Sequence, residues 1–118
     1  MAVVPFVNQN AFGENTLWKA TVLSTGDQTD VLKFTEDQSD ISVHIYGTVA
    51  GSTVAVQASL LGGQFNTVDD AYGVAMSYTA IGIVKPVGPA VKQLQVTVTG
   101  GAGVSVTVDI LASRRRGR

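Results

Sequence analysis

The stretch Lys92-Gln-Leu-Gln-Val-Thr-Val-Thr-Gly-Gly-Ala-Gly-Val-Ser-Val-Thr-Val-Asp-Ile-Leu-Ala112 decides the fold. Leu94, Val96 and Val98 alternate with polar residues, and so do Val104, Val106, Val108 and Ile110. A period of two puts every second side chain on one face, as in a half-buried strand. Gly100-Gly101-Ala102-Gly103 separates the two runs and reads as the turn of an antiparallel hairpin.

The same signal recurs upstream. Ile41, Val43 and Ile45 alternate with Ser42, His44 and Tyr46, and Val54, Val56, Ala58 and Leu60 alternate with Ala55, Gln57 and Ser59. The short link at Ala50-Gly51-Ser52 predicts a second hairpin. Weaker strand patterns cover 16–23, 31–35, 64–68, 74–79 and 81–84. About eight strands with Gly-containing turns predict a single all-β domain, an antiparallel β-sandwich of jelly-roll or immunoglobulin-like type. Its expected core is Val43, Ile45, Val54, Val56, Ala58, Leu94, Val96, Val98, Val104, Val106, Val108 and Ile110. No run has a helical stripe that could supply the crossovers of a parallel sheet.

Residues 1–15 lack a period and are broken by Pro5, Asn8, Asn10, Gly13 and Asn15, which predicts an extended arm ahead of a 16–112 sandwich. Residues 113–118 carry Arg114, Arg115, Arg116 and Arg118 and read as a basic tail. Those four arginines hide an asymmetry: the remaining chain has four lysines against nine carboxylates, a net of −5. An acidic body argues against a nucleic-acid-binding surface, which needs clustered cations. No run approaches the ~20 apolar residues of a membrane helix. The start has no basic leader, and the expected product is made in the cytoplasm.

Catalytic constellations are missing from the sequence. His44 is the only histidine, no Gly-x-Ser-x-Gly elbow is present, and no cysteine can serve as nucleophile or ligand. One imidazole cannot hold zinc, which takes three or four protein ligands. Asp27, Asp30, Glu36, Asp37, Asp40, Asp69 and Asp70 fall in two turn regions without the calcium-loop spacing, so turn preference accounts for them. The reading is therefore a non-enzyme with no cofactor and no metal. Trp18, Tyr46, Phe65, Tyr72 and Tyr78 could stack on sugar rings if exposed, which keeps a carbohydrate-binding module as an alternative.

The segments "YGTVAGSTVAVQASLLGGQFNTVDDAYG" (46–73) and "KQLQVTVTGGAGVSVTVDILA" (92–112) together resemble small β-sandwich virion proteins of tailed bacteriophages, over roughly residues 43–112. The shared plan is a strand G-T-x-x-G-x-T-V-x-V-Q-x-S, a short strand with an aromatic, and a closing L-x-V-x-V-x-G-G-x-G-x-x-V-x-V pair. The resemblance implies a capsid decoration (cement) protein located in the virion. Its partner would be the major capsid protein, bridged by a homo-oligomer; a trimer would match the local threefold sites of a shell. A tail or neck component shares the same plan. The contact residues expected outside the sandwich are Phe6 and Phe12 in the arm and Arg114, Arg115, Arg116 and Arg118 in the tail, since arginine pairs bidentately with carboxylates.

Overall fold

Alternating β-branched and small polar residues give each strand one face for a core and one for water. The computed structural model describes residues 3–9, 15–34, 38–59, 64–80, 82–88 and 92–114, and among them it forms twelve strands and no helix. These are β1 (Val3–Val4), β2 (Val7–Asn8), β3 (Asn15–Leu23), β4 (Gln28–Thr29), β5 (Leu32–Lys33) and β6 (Gln38–Thr48). There follow β7 (Thr53–Ser59), β8 (Asn66–Thr67), β9 (Ser77–Tyr78), β10 (Ile83–Pro86), β11 (Gln93–Thr99) and β12 (Ser105–Arg114).

One sheet has the order β10-β6-β12-β3-β2. The other runs β1-β4-β11-β7-β8, with β5 also on β11 and β9 also on β7. All pairings are antiparallel except the two-residue β1–β4 pair. Taking β4 with β5 and β8 with β9 as two interrupted strands, the chain from β3 onward switches sheet at every step except β7 to β8. That winding is a jelly roll, which selects between the two sandwich types the sequence allows.

Neither predicted hairpin forms. β6 pairs with β10 and β12, whereas β7 pairs with β11 (Val56 opposite Val96). β12 lies between β6 and β3, so 99–104 also crosses between sheets. Alternation establishes that each strand has one dry face, and two dry faces can meet across a core as well as side by side. Backbone geometry favours the crossing: Ala50 (φ 45°), Gly51 (φ 83°), Gly100 (φ 76°) and Gly101 (φ 75°) are all left-handed. The two arches also nest. The Ala102 N–H donates to the Ala50 carbonyl at 3.4 Å, and a Cβ on Gly101 would stand 2.6 Å from that oxygen and 2.7 Å from Ser52 N. Only glycine allows this approach.

Between the sheets, every expected core residue is buried except Ala58, which packs partly buried against the rest. Ala20, Leu23, Leu32, Phe34, Ile41, Val68, Met76, Val87 and Ala112 complete it. Leu94, Ile45 and Ile110 have no exposed surface, and each contributes ~2–3 kcal/mol of burial relative to an exposed side chain.

Both flanks of the sandwich are closed by short segments that pair onto the main strands. Residues 3–8 are not a free arm: β1 pairs with β4 on one sheet and β2 with β3 on the other. Between them the Phe6 N–H donates to Asp30 Oδ1 at 3.2 Å, while the Asp30 N–H donates to the Val4 carbonyl. On the opposite flank, the Asp69–Ala75 bridge closes 68–76 on itself; Val68 and Met76 exchange backbone hydrogen bonds with Val56 of β7, and Asp70 bridges to Val87, just after β10. The expected end of the last strand at Ala112 is also corrected. β12 continues to Arg114 opposite Gln38, because β6 begins early enough to supply backbone partners.

Candidate functional site

Two features stand out from the polar, strand-covered exterior. The first is a row across the outer face of the five-stranded sheet, where register aligns Val84, His44, Asp109, Lys19 and Val7 on successive strands. Tyr46 donates its hydroxyl to Asp109 Oδ2 at 3.1 Å, and its ring lies 4.6 Å from that of His44. Lys19 Nζ stands 3.9 Å from Asp109 Oδ1 and 5.9 Å from the Tyr46 ring centre. Hydrogen bonding to the Tyr46 side chain, and then the charge of Asp109, raise the Lys19 pKa above its usual value. The ammonium therefore stays charged at neutral pH. This half-exposed cluster is a cross-strand tie of the kind that stabilises sheets. His44 has the Tyr46 ring and the Asp109 position as neighbours, and no serine nucleophile is aligned with it in the row.

The second feature is the loop 69–75. Its backbone folds around Asp70, 4% exposed, whose Oδ1 accepts the N–H groups of Tyr72 at 2.8 Å and Val74 at 3.1 Å. The Asp70 N–H donates to the Val74 carbonyl, the Gly73 N–H to the Asp70 carbonyl, and the Ala71 N–H to the Pro86 carbonyl. A carboxylate that caps nearby amides fixes a turn without regular structure. The consequence is a rigid projection carrying Tyr72 at 77% exposure and Val74 at 59%.

Of the five aromatics read as sugar-stacking candidates, only Tyr72 presents an open ring. Trp18 packs edge-on against Phe34 at 5.8 Å, Phe65 and Tyr46 are half-buried, and Tyr78 packs against the core. Burial pushes the Tyr78 phenol up, with the Asp70 charge adding to the shift. Three of the turn carboxylates hold backbone amides: Asp27 Oδ2 accepts the Ser24 N–H at 2.9 Å, and Asp30 and Asp70 accept theirs. Among the described residues, no three His, Asp or Glu side chains converge as a metal site would need, and no helix is long and apolar enough to cross a membrane.

Two of the expected contact residues, Phe6 and Arg114, are among the described residues. Phe6 packs partly buried against the core, so its ring serves this chain's own flank. Arg114 ends β12, with its backbone opposite Gln38. Phe12, Arg115, Arg116 and Arg118 lie outside the described residues. The sequence reading missed the Asp70 clamp, for which the spacing Asp-x-Tyr-Gly-Val was the available signal.

Comparison with known proteins separates sequence from fold. No family model matches the chain, and no curated protein matches it in sequence. Among solved structures, it is similar to the SPBc2 prophage-derived protein YomS, with a TM-score of 0.65 at 12% identity over 86% of this chain and 96% of that one. It is also similar to the PBSX exported protein XepA, with a TM-score of 0.58 at 14% identity over 86% of this chain and 39% of XepA. A cupin domain from Bordetella pertussis Tohama I gives 0.52 at 11% identity over 97% of this chain and 95% of that one. These likenesses are of fold, and the cupin match agrees with the jelly-roll winding.

Proposed function

We propose that this chain is a phage virion accessory protein that acts by binding and assembly rather than by catalysis. Its jelly roll sits on the capsid and cements neighbouring major-capsid subunits. The observation that carries the reading is the fold shared along nearly its whole length with a prophage-derived protein; the likeness to a domain-sized part of XepA supports it. The physical design suits the role. A doubly layered domain with short, blunted edges transmits load without adding strands to its neighbours. Many copies with modest contacts add up through multivalency. The arginines at 114–118 supply the cationic side chains for acidic patches on a shell, and the virion is the proposed location.

Co-sedimentation with capsids tests this. Saturable binding at a ratio set by the shell lattice, weakened on removal of residues 114–118, is the expected result. No binding to mature or decoration-free capsids would overturn it.

A second reading rests on Tyr72, whose open ring could stack on a pyranose beside the exposed Asp69. A glycan-array signal abolished by Tyr72→Ala would favour a carbohydrate-binding module instead.

A further inference from the structure

The register of the five-stranded sheet gathers apolar side chains on its outer face. Val84, His44, Asp109, Lys19 and Val7 form one row, and Pro86, Ser42, Leu111 and Leu17 form the next. Strand alternation puts both rows on the side away from the core residues Val43, Val108 and Ile110. Val7 and Val84 are 55% and 61% exposed, and Leu17 and Leu111 are half-buried. The other sheet differs. On β7 and β11 its outer face carries only Thr, Ser, Gln and Ala55, and the Gln95 amide donates to Gln57 Oε1 at 2.9 Å. One outer face is finished for water, whereas the other presents leucine and valine around an ion pair. Apolar side chains collected on one face mark an interaction surface.

We propose that two copies of this chain pack the outer faces of their five-stranded sheets together about a twofold axis that runs along the strands between β12 and β3. Asp109 and Leu111 of β12 lie opposite Lys19 and Leu17 of β3. The axis therefore sets Lys19 of each copy over Asp109 of the other, and Leu17 over Leu111. One strand further out on either side, His44 of one copy meets Val7 of the other.

Charge identifies the occupant as a second copy. In a twofold contact residue i meets j while j meets i, so a face that joins its own copy needs opposite charges on the two sides of the axis. Lys19 and Asp109 meet that condition: 3.9 Å apart within one chain, they become four alternating charges between two. An axis along β12 itself would stack Asp109 on its own copy, a like-charge contact. The size fits as well. β3, β6 and β12 run 9, 11 and 10 residues. At ~3.3 Å per residue and ~4.8 Å between strands the face outlines about 20 by 30 Å, the scale of the ~800 Å² per partner in a standard interface. Its edges offer little: β10 ends in Pro86, which has no N–H, and β2 is two residues long. The inference does not rest on the cement reading, and it yields a dimer rather than a trimer.

Charge exchange on the full-length chain tests it, with sedimentation velocity as the readout and circular dichroism as the check on folding. The unmodified chain should be a dimer in the micromolar range. Lys19→Glu and Asp109→Lys each set like charges across the axis twice, so either alone should raise the dimer dissociation constant about thirtyfold or more. An equimolar mixture of the two variants should recover a heterodimer, because every pair across the axis is again opposite. Each variant still holds a like-charge pair within its own chain, so recovery on mixing reports contact between chains and not repair of the fold. Leu111→Gln, which leaves the charges alone, should weaken the dimer about tenfold or more. A monomer throughout the micromolar range would overturn the association. A dimer indifferent to both charge variants would overturn this face, and no recovery on mixing would overturn the axis. A monomer that binds capsids and loses them on Leu111→Gln would give the face to the shell instead of a second copy.

Discussion

Gly47 is a position where the structure makes a quantitative demand. It sits in β6 opposite Val106 with φ at +115°, and a Cβ built there falls on the Ser105 carbonyl oxygen. Gly47→Ala therefore carries two costs. A left-handed or otherwise sparsely populated backbone conformation costs an L-residue about 1–3 kcal/mol. The collision is with backbone, so relief means opening the end of the β6–β12 ladder, at about 1 kcal/mol for each of one or two hydrogen bonds. The sum is about 2–5 kcal/mol, a large share of the 5–15 kcal/mol that holds a typical domain. At roughly 4 °C per kcal/mol, the melting temperature should fall by about 8–20 °C. Gly26→Ala is the internal control: its φ is +85°, but no atom lies within 4 Å of the added Cβ. Only the conformational term of about 1–2 kcal/mol remains there, or about 4–8 °C. Thermal unfolding followed by circular dichroism measures both. Equal shifts for the two variants would refute the close approach of β6 and β12 at Gly47.

Three further outcomes follow from the packing and the charges. Ile110→Ala, at a site with no exposure, should cost about 2–5 kcal/mol in urea unfolding, whereas Val84→Ala, 61% exposed, should stay within about 0.5 kcal/mol. Asp70→Ala should leave the Tyr72 and Val74 amides without their carboxylate, costing about 1–3 kcal/mol and speeding their hydrogen exchange, with Asp70→Asn recovering part of the loss. Tyr78 and Lys19 both hold their protons more tightly folded than unfolded, from usual values of 10.0 and 10.5. Their contribution is complete below those values and lost as pH rises through the folded ones, so stability should be level near neutrality and fall above about pH 10. The Tyr78 hydroxyl is buried without a hydrogen-bond partner among the described residues, so Tyr78→Phe should be neutral or stabilising by up to about 1 kcal/mol and should flatten part of that alkaline fall.

Much of the core was legible because Val96, Val108 and their neighbours alternate without interruption, and a period of two needs no knowledge of partners. Strand pairing was not legible for the same reason. The pattern around Gly100–Gly103 is compatible with a hairpin or an arch, and the choice lies in the left-handed glycines and in Ala50, distant in sequence, against which they pack. Residues 3–8 were read as an arm because two-residue strands are too short to show a period; their order comes from Asp30 and from sheet edges far along the chain. Beyond the expected boundary at Ala112, the last strand outran its side-chain propensity because Gln38 supplied a partner to Arg114. The candidate site was legible only as a list of aromatics. Which of them is exposed depends on the buried Asp70, a residue whose type suggested no more than a turn.

A structural place in a phage particle is tested most directly by the copy number of this chain in purified virions, measured by quantitative mass spectrometry. A count proportional to the major capsid protein, in the fixed ratio of a shell-decorating lattice, is the expected result. A handful of copies per particle would move the protein to the tail or neck, and its absence from virions would contradict a structural place in the particle.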